Sequence, residues 1–175
     1  MKKIVLMLII FLIKPVCAEM EVYFTPSSAC EDSIVSLIKQ SQKTIDIAVY
    51  SINNDQIVSA LKEAHNRGVS LRILTDRLQA SSKNSKVLDL YQYGINIKVN
   101  SKYKIEHNKF AVFDGFTVST GSFNWTNPAS QKNSENCLFV TRDIKTVVAY
   151  AQRFNELWGL NSDIKSHNWF ERKLQ

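Results

Sequence analysis

Histidine, cysteine and long apolar runs are all scarce in this chain. Only three histidines and three cysteines occur among its 175 residues. No two cysteines form a C-x-x-C pair, and none lies near a suitable histidine, which argues against a zinc site or a cysteine nucleophile. No internal repeat or low-complexity tract is present, so solenoid and array architectures are set aside. The one long apolar run, Ile4–Ile13, has ten residues, about half of the ~20 that a bilayer-spanning helix requires. Charge is not one-sided either: 22 basic against 16 acidic residues give a formal +6.

What is present at the N-terminus reads as an address. Lys2 and Lys3 precede the apolar run, and Lys14, Pro15 and Val16-Cys17-Ala18 follow it. A basic start, a short apolar segment and a small-residue cleavage pattern predict a secretory signal peptide over residues 1–18. An uncleaved membrane anchor is the competing reading, and Lys14-Pro15-Val16 is a poor lead-in to a lipidated Cys17. Residues 19–175 are then one domain by size. Such a length buries roughly two thirds of the unfolded surface without help from a metal. Removing three leader lysines reduces the formal charge to +3. That balance permits a polyanionic substrate without demanding one. Cys30 and Cys137 remain as an even pair. In an oxidising compartment they are able to form a disulfide, and the alternative is two small buried hydrophobes.

The pattern along the chain alternates. A strand near Glu21–Phe24 leads through Pro26 and Ser27 to a helix ending near Gln40. Thr44–Tyr50 is β-branched and alternating, hence a strand. Asn53 or Asn54 caps a helix that Gly68 ends. Val69–Asp76 is a strand, Arg77–Asn84 a loop, Ser85–Tyr93 a helix and Ile95–Val99 a strand. The rhythm then changes to a hairpin, Phe110–Phe113 and Phe116–Ser119 around Asp114-Gly115, a strong turn signal. Asn127–Asn133 is predicted as a loop, Glu135–Val140 as a strand, and Asp143 as the cap of a long closing helix. The tail from Asn161 shows no clear period. These elements predict a single-domain α/β fold, a mixed β-sheet sandwiched between helices.

The histidines differ in context. His65 sits at a solvated helix end and His167 in the tail. His107 opens the hairpin, with Lys109 two residues on and therefore on the same strand face. A neutral imidazole is a competent nucleophile near pH 7, and a fixed cation beside it holds a phosphoryl oxygen. Ser122 and Asn124, also two apart, return on the neighbouring strand as donors for phosphate oxygens. Glu135 starts the next strand and is placed to fix the imidazole tautomer. Asp114 lies on the opposite strand face and suits the turn better than the chemistry.

Together these residues resemble a known pattern. His107-Asn108-Lys109, Asp114, Gly121-Ser122 and Asn124 fit the H-x-K-x4-D-x6-G-S-x-N motif of the phospholipase D superfamily. The single copy, with the GSFNWT and KNSEN runs, resembles the small bacterial Nuc-type endonucleases over nearly all of residues 19–175. The resemblance implies catalysis by His107 and Lys109, with Asp114 in the motif, Ser122 and Asn124 on the phosphate and Glu135 orienting the imidazole. It implies a phosphohistidine intermediate, no cofactor and no metal. It also implies a homodimer with the active site on its two-fold axis, since the chemistry needs two such motifs and the chain has one. Phe123 and Trp125 are expected near that contact.

Nucleic acid is the expected partner, DNA ahead of RNA, with Lys102, Tyr103, Lys104, Trp125 and Lys132 suited to a phosphate backbone and stacked bases. The alternatives are a phospholipase D-type lipid hydrolase and an envelope nucleic-acid-binding protein in DNA uptake. A secreted, periplasmic or cell-envelope location is expected from the leader, and the resemblance implies a bacterial one.

Overall fold

Strand β2 (Thr44–Val49) combines β-branched residues with burial on both faces, and the fold is built outward from it. The computed structural model describes residues 17–175, so most of the expected signal peptide lies outside the described residues. Around β2 run β1 (Glu19–Phe24), β3 (Ser70–Thr75), β4 (Asn96–Val99), β5 (Lys109–Phe113), β6 (Thr117–Gly121) and β7 (Asn136–Thr141). They form one sheet in the order β1-β7-β6-β5-β2-β3-β4. β2, β3 and β4 are parallel, and every other pairing is antiparallel.

Helices cover both faces, as the expected sandwich requires. On one face α1 (Ala29–Gln40), α2 (Asp55–Asn66) and α4 (Val87–Gln92) bury Ile34, Ile38, Ile57, Leu61 and Leu90 against Ile45, Ile47, Ile73 and Phe139. On the other, α6 (Ile144–Leu160) lays Val147, Phe154 and Leu157 over Ala48, Leu74, Phe110, Val112 and Val118. Asn54 caps α2 by accepting from the Ile57 N–H, and Asp143 caps α6 through Thr146. Among the described residues no helix is long and apolar enough to cross a membrane.

Three stretches differ from the sequence reading, each a helix that opens on a side-chain cap. Within the expected loop 77–84, Asp76 accepts from the Leu78 and Gln79 N–H groups and starts α3 (Arg77–Ala80). Thr126 caps α5 (Asn127–Gln131) by accepting from the Ala129 N–H. The tail forms α7 (Asp163–Leu174), capped by Ser162 and burying Ser166, Trp169 and Phe170. Its buried stripe is too short to show a period. Phe170 stacks on Tyr91 at 3.9 Å, and the Ser166 hydroxyl accepts the Val99 N–H, so α7 closes over β4. Lys98, 4% exposed, donates to the Trp158 and Asn161 carbonyls and pairs with Asp163, joining α6 to α7.

Two links tie distant segments. Cys30 and Cys137 are disulfide-bonded across a separation of 107 residues, fastening α1 to β7. Asp114 and Gly115 both take positive φ (52° and 64°), as a two-residue hairpin requires. The Asp114 carboxylate accepts the Gln42, Lys43 and Thr44 N–H groups at 2.8–2.9 Å, which pins the hairpin to the start of β2.

Closing so long a loop stabilises by about 4–5 kcal/mol in the chain-entropy limit. Urea unfolding should therefore show a lower midpoint with reductant than without. Coincident curves would contradict a stabilising bridge.

Burial alone would raise the Asp114 pKa, but the three N–H groups and the Lys43 charge outweigh it and lower the value. A depressed folded pKa contributes stability above the ordinary carboxylate range, and that contribution disappears as pH falls through the lowered value. Asp114→Ala is expected to cost about 2 kcal/mol at pH 7, the scale of charged hydrogen bonds lost. The gap from wild type should close in acid. An equal gap at pH 7 and pH 2 would refute the charged role.

Candidate active site

At one end of the sheet the parallel strands β2, β3 and β4 finish while the antiparallel β5 begins. Lys109 pairs with Val49, Val49 with Thr75, and Thr75 with Val99, so these four residues form one row across the sheet. Ligands of open α/β sheets bind beyond such strand ends, where the order of connections reverses. His107 lies just before β5, exposed, at this end.

Neighbouring residues fix the entrance to β5. The Tyr50 N–H donates to the Asn108 carbonyl at 3.0 Å. Glu106, only 1% exposed, accepts from the Asn108 N–H and side-chain amide through one oxygen, at 3.2 and 2.6 Å. The Glu106 N–H in turn donates to the buried Asp76 carboxylate at 3.2 Å. These bonds hold the residues on either side of His107 and leave its ring free. The imidazole meets the Tyr50 ring edge-on, with centroids 4.8 Å apart, and has no hydrogen-bond partner among the described residues. Lys109 Nζ donates to the His107 carbonyl at 2.6 Å and sits 5.1 Å from the Tyr50 ring centroid. Imidazole and ammonium thus both pack against the Tyr50 ring. Burial lowers the Lys109 pKa from its ordinary value, while the Glu135 and Glu106 charges oppose the shift.

The returning segment reaches the same end. Gly121, at φ +136°, ends β6, and a Cβ there would collide with the Asn136 carbonyl oxygen. That oxygen accepts both the Ser122 and Phe123 N–H groups, at 3.1 and 3.2 Å. Ser122 and Asn124 therefore follow a tight turn past the strand end, where strand alternation no longer governs them. The Ser122 hydroxyl donates to Glu135 at 2.5 Å and accepts the Asn136 N–H at 3.0 Å. The second Glu135 oxygen accepts from the Asn133 amide. Within one chain Glu135 thus holds Ser122 and biases Lys109, and it makes no bond to His107. The Asn124 Oδ1 is buried without a partner.

Some expected members belong elsewhere. Asp114 is at the far end of β5, about 16 Å from Lys109 at ~3.3 Å per residue, with its carboxylate occupied by the β2 amides. It is a fold anchor and takes no part at the His107 site. Phe123 and Trp125 are 3% and 2% exposed. They are core residues of this chain, and neither a stacked base nor a subunit contact reaches them. Lys102, Tyr103, Lys104 and Lys132 are exposed as expected. Tyr50, Asp76 and Glu106 are site-forming residues that sequence reasoning missed. Tyr50 was traceable as the last residue of a strand that ends at the site. Burial of the two acids has no local signal.

His65 lies at the opposite end of the sheet, its ring 6.0 Å from that of Tyr93. His167 bonds the Tyr91 hydroxyl through Nδ1 at 2.8 Å. Among the described residues no group of three or more His, Cys, Asp or Glu side chains is arranged to hold a metal ion.

Comparison with known proteins adds relatives to this geometry. The family described as "cardiolipin synthase, PLD-like domain" matches residues 34–158. The mitochondrial cardiolipin hydrolase of Chlamydomonas reinhardtii is 35% identical over 136 residues, 78% of this chain and 60% of that protein. A Rickettsia prowazekii protein named phospholipase D is 35% identical over 150 residues, 86% of this chain and 65% of its own length. The chain thus spans under two thirds of either curated relative. The crystal structure of Nuc from Salmonella typhimurium, a phospholipase D family member, superposes with a TM-score of 0.78 at 27% identity. That likeness covers 83% of this chain and 97% of Nuc.

Proposed function

The chain belongs to the phospholipase D superfamily, and from that premise we propose that it hydrolyses nucleic-acid phosphodiester bonds through a phosphohistidine. The observation that carries this reading is the pairing of a free, exposed His107 imidazole with the Lys109 ammonium at an open end of the sheet. In the proposed first step a His107 nitrogen bonds phosphorus while the bond to the leaving oxygen breaks. A second His107 gives that oxygen its proton. Water, deprotonated by the same second imidazole, then attacks phosphorus, breaks the P–N bond and releases a phosphate monoester. Lys109 and the Asn124 amide hold the non-bridging oxygens, where charge gathers in the transition state.

Polarity supports a nucleic-acid substrate. A polar cavity of about 410 Å³ at this end is lined by Asn53, Asn84, Asn127, Lys83, Lys86 and Asp55, with Lys86 paired to Asp55 at 3.4 Å. The apolar groove of Phe116, Ile144 and Val148 opens at the opposite end. Lipid hydrolysis is the second reading. Leu78 and Ile105 are exposed at the His107 end, and the curated relatives are named for lipid hydrolysis. The Cys30–Cys137 bridge supports an oxidising compartment, hence secretion or the periplasm.

Purified protein should nick plasmid in excess EDTA and spare phosphatidylglycerol or cardiolipin vesicles. Vesicle hydrolysis without DNA cleavage would select the lipid reading, and activity restored only by added metal would refute the mechanism. His107→Ala should be inactive, and Lys109→Ala should lose at least ~10²-fold in turnover. Because the lowered Lys109 pKa must be above the working pH, activity should fall as pH rises through it. Lys109→Arg should move that fall upward. A Lys109→Arg profile identical to wild type would remove Lys109 from the chemistry.

One chain supplies one His107, and His65 and His167 are engaged elsewhere, so the acid comes from a second copy across a two-fold axis. Mixed dimers of wild-type and His107→Ala chains should then be inactive or stall at the covalent stage. A retained half of wild-type activity, or a fully active monomer, would end the dimer proposal.

A further inference from the structure

Helix α7 begins beyond residue 158, where the family match stops. It adds a basic face to the end of the sheet that carries His107. Lys165, Asn168 and Arg172 recur at helical spacing on its exposed side, away from the buried Ser166 and Phe170. With Arg77 of α3 and with Val99 they line a groove of about 240 Å³. Among the described residues, none of Arg77, Lys165 and Arg172 pairs with a carboxylate. The nearby acids are engaged: Asp163 with Lys98, Glu171 with Tyr91 and His167, and Asp76 with backbone amides. Three unneutralised cations converge on one groove.

Its position gives the groove a purpose. Val99 stands in the same sheet row as Lys109, three strand intervals away. At ~4.8 Å per interval the groove lies about 14 Å from the Lys109 position, the reach of a few nucleotides. The loop joining β4 to β5 runs between the two and exposes Lys102 and Lys104. We propose that the Arg77–Lys165–Arg172 groove binds backbone phosphates of a polynucleotide whose scissile phosphate sits at His107. This inference rests on the nucleic-acid reading above and adds to it a site outside the matched family region. Arginine and lysine suit the role because phosphate contacts position a strand without reading its bases.

The test is a triple variant, Arg77→Gln, Lys165→Gln and Arg172→Gln, beside wild type. Binding of a long single-stranded oligonucleotide is measured in the inactive His107→Ala background at several salt concentrations. Losing three phosphate contacts should flatten the slope of log affinity against log salt by about 2. In the active background KM for the oligonucleotide should rise on the order of tenfold. Turnover of bis(p-nitrophenyl) phosphate, too small to reach the groove, should remain at the wild-type value. An unchanged salt slope and KM would overturn the groove while leaving the nuclease reading intact. Loss of activity on the small diester as well would assign these residues to folding or chemistry and overturn it too. If wild type hydrolyses the small diester but no oligonucleotide, the nucleic-acid reading fails and the groove fails with it. Selective loss on phosphatidylglycerol vesicles would make the groove a lipid-headgroup site and overturn the proposal.

Discussion

The antiparallel pairing of β5 with β2 is the constraint on which the rest of the molecule depends. β2 has a parallel neighbour in β3 and an antiparallel one in β5. Because β5 runs against β2, its first residue meets the last residue of β2, and the loop carrying His107 arrives where three parallel strands end. Register matters as much as direction. A slip of one residue would turn Lys109 to the other face and replace Ala111 and Phe113 in the core with their neighbours. Both ends of β5 are secured against such a slip. Asp114 clamps the hairpin to three amides before β2, and the Tyr50 and Glu106 contacts to Asn108 clamp the entrance. The motif aspartate and the motif histidine thus serve one strand from opposite ends.

Behind a basic surface the site end is built on buried acids. Asp76 receives three backbone N–H groups, and Glu106 receives two donors from Asn108. Glu31, 7% exposed, accepts from Asn54 and Ser130 and so links α1 to the cap of α2 and to α5. A buried carboxylate is costly unless hydrogen-bonded, and each of these satisfies donors that loops would otherwise leave unpaired. The buried carboxylates here hold loop geometry, and Lys102, Lys104 and Lys132 remain exposed. Lys109 stands between the two populations, partly desolvated yet within the field of Glu106 and Glu135.

The legible parts of the chain were those set by local chemistry. Alternation in Thr44–Val49, the Asp114-Gly115 turn and the caps at Asn54 and Asp143 each depend on a few consecutive residues. The spacing from His107 to Asn124 is likewise local, and the structure brings those residues to one end of the sheet. The reading broke down where long-range contacts decide. α7 is held because Phe170 stacks on Tyr91, His167 bonds the Tyr91 hydroxyl and Ser166 meets β4, partners some 70 residues away in sequence. Ser122 and Asn124 were read as strand residues, but Gly121 turns the chain before them. Phe123 and Trp125 follow from that turn: the same bend that moves Ser122 outward drives both aromatics into the core. Glu135 was assigned to the imidazole, and its position beside Ser122 is visible only when β6 and β7 are paired.

The distribution of exposed apolar groups bears on what the site acts upon. At the end remote from His107, Phe116, Ile144 and Val148 line one groove, with Arg142 over the Phe116 ring at 5.5 Å. At the His107 end Phe24 stands on β1, while Leu78 of α3 and Ile105 of the loop before β5 are drawn together, because the Asp76 carboxylate accepts both the Leu78 and the Glu106 N–H groups. Phe24 is set apart from that pair, since β1 and β3 are five strand intervals apart in the sheet, about 24 Å at ~4.8 Å each. Single or paired exposed apolar residues are ordinary on a protein surface, whereas a large contiguous patch marks a contact. An enzyme that draws a lipid from a bilayer needs its apolar cluster beside its nucleophile. Here the Phe116–Ile144–Val148 groove is separated from the nucleophile by the length of a strand, and beside His107 the exposed apolar contribution is the Leu78 and Ile105 pair, with Lys109 and the Asn108 and Asn124 carboxamides at the same end. That separation is a stronger argument for a polyanionic, water-borne substrate than the modest net charge of the whole chain.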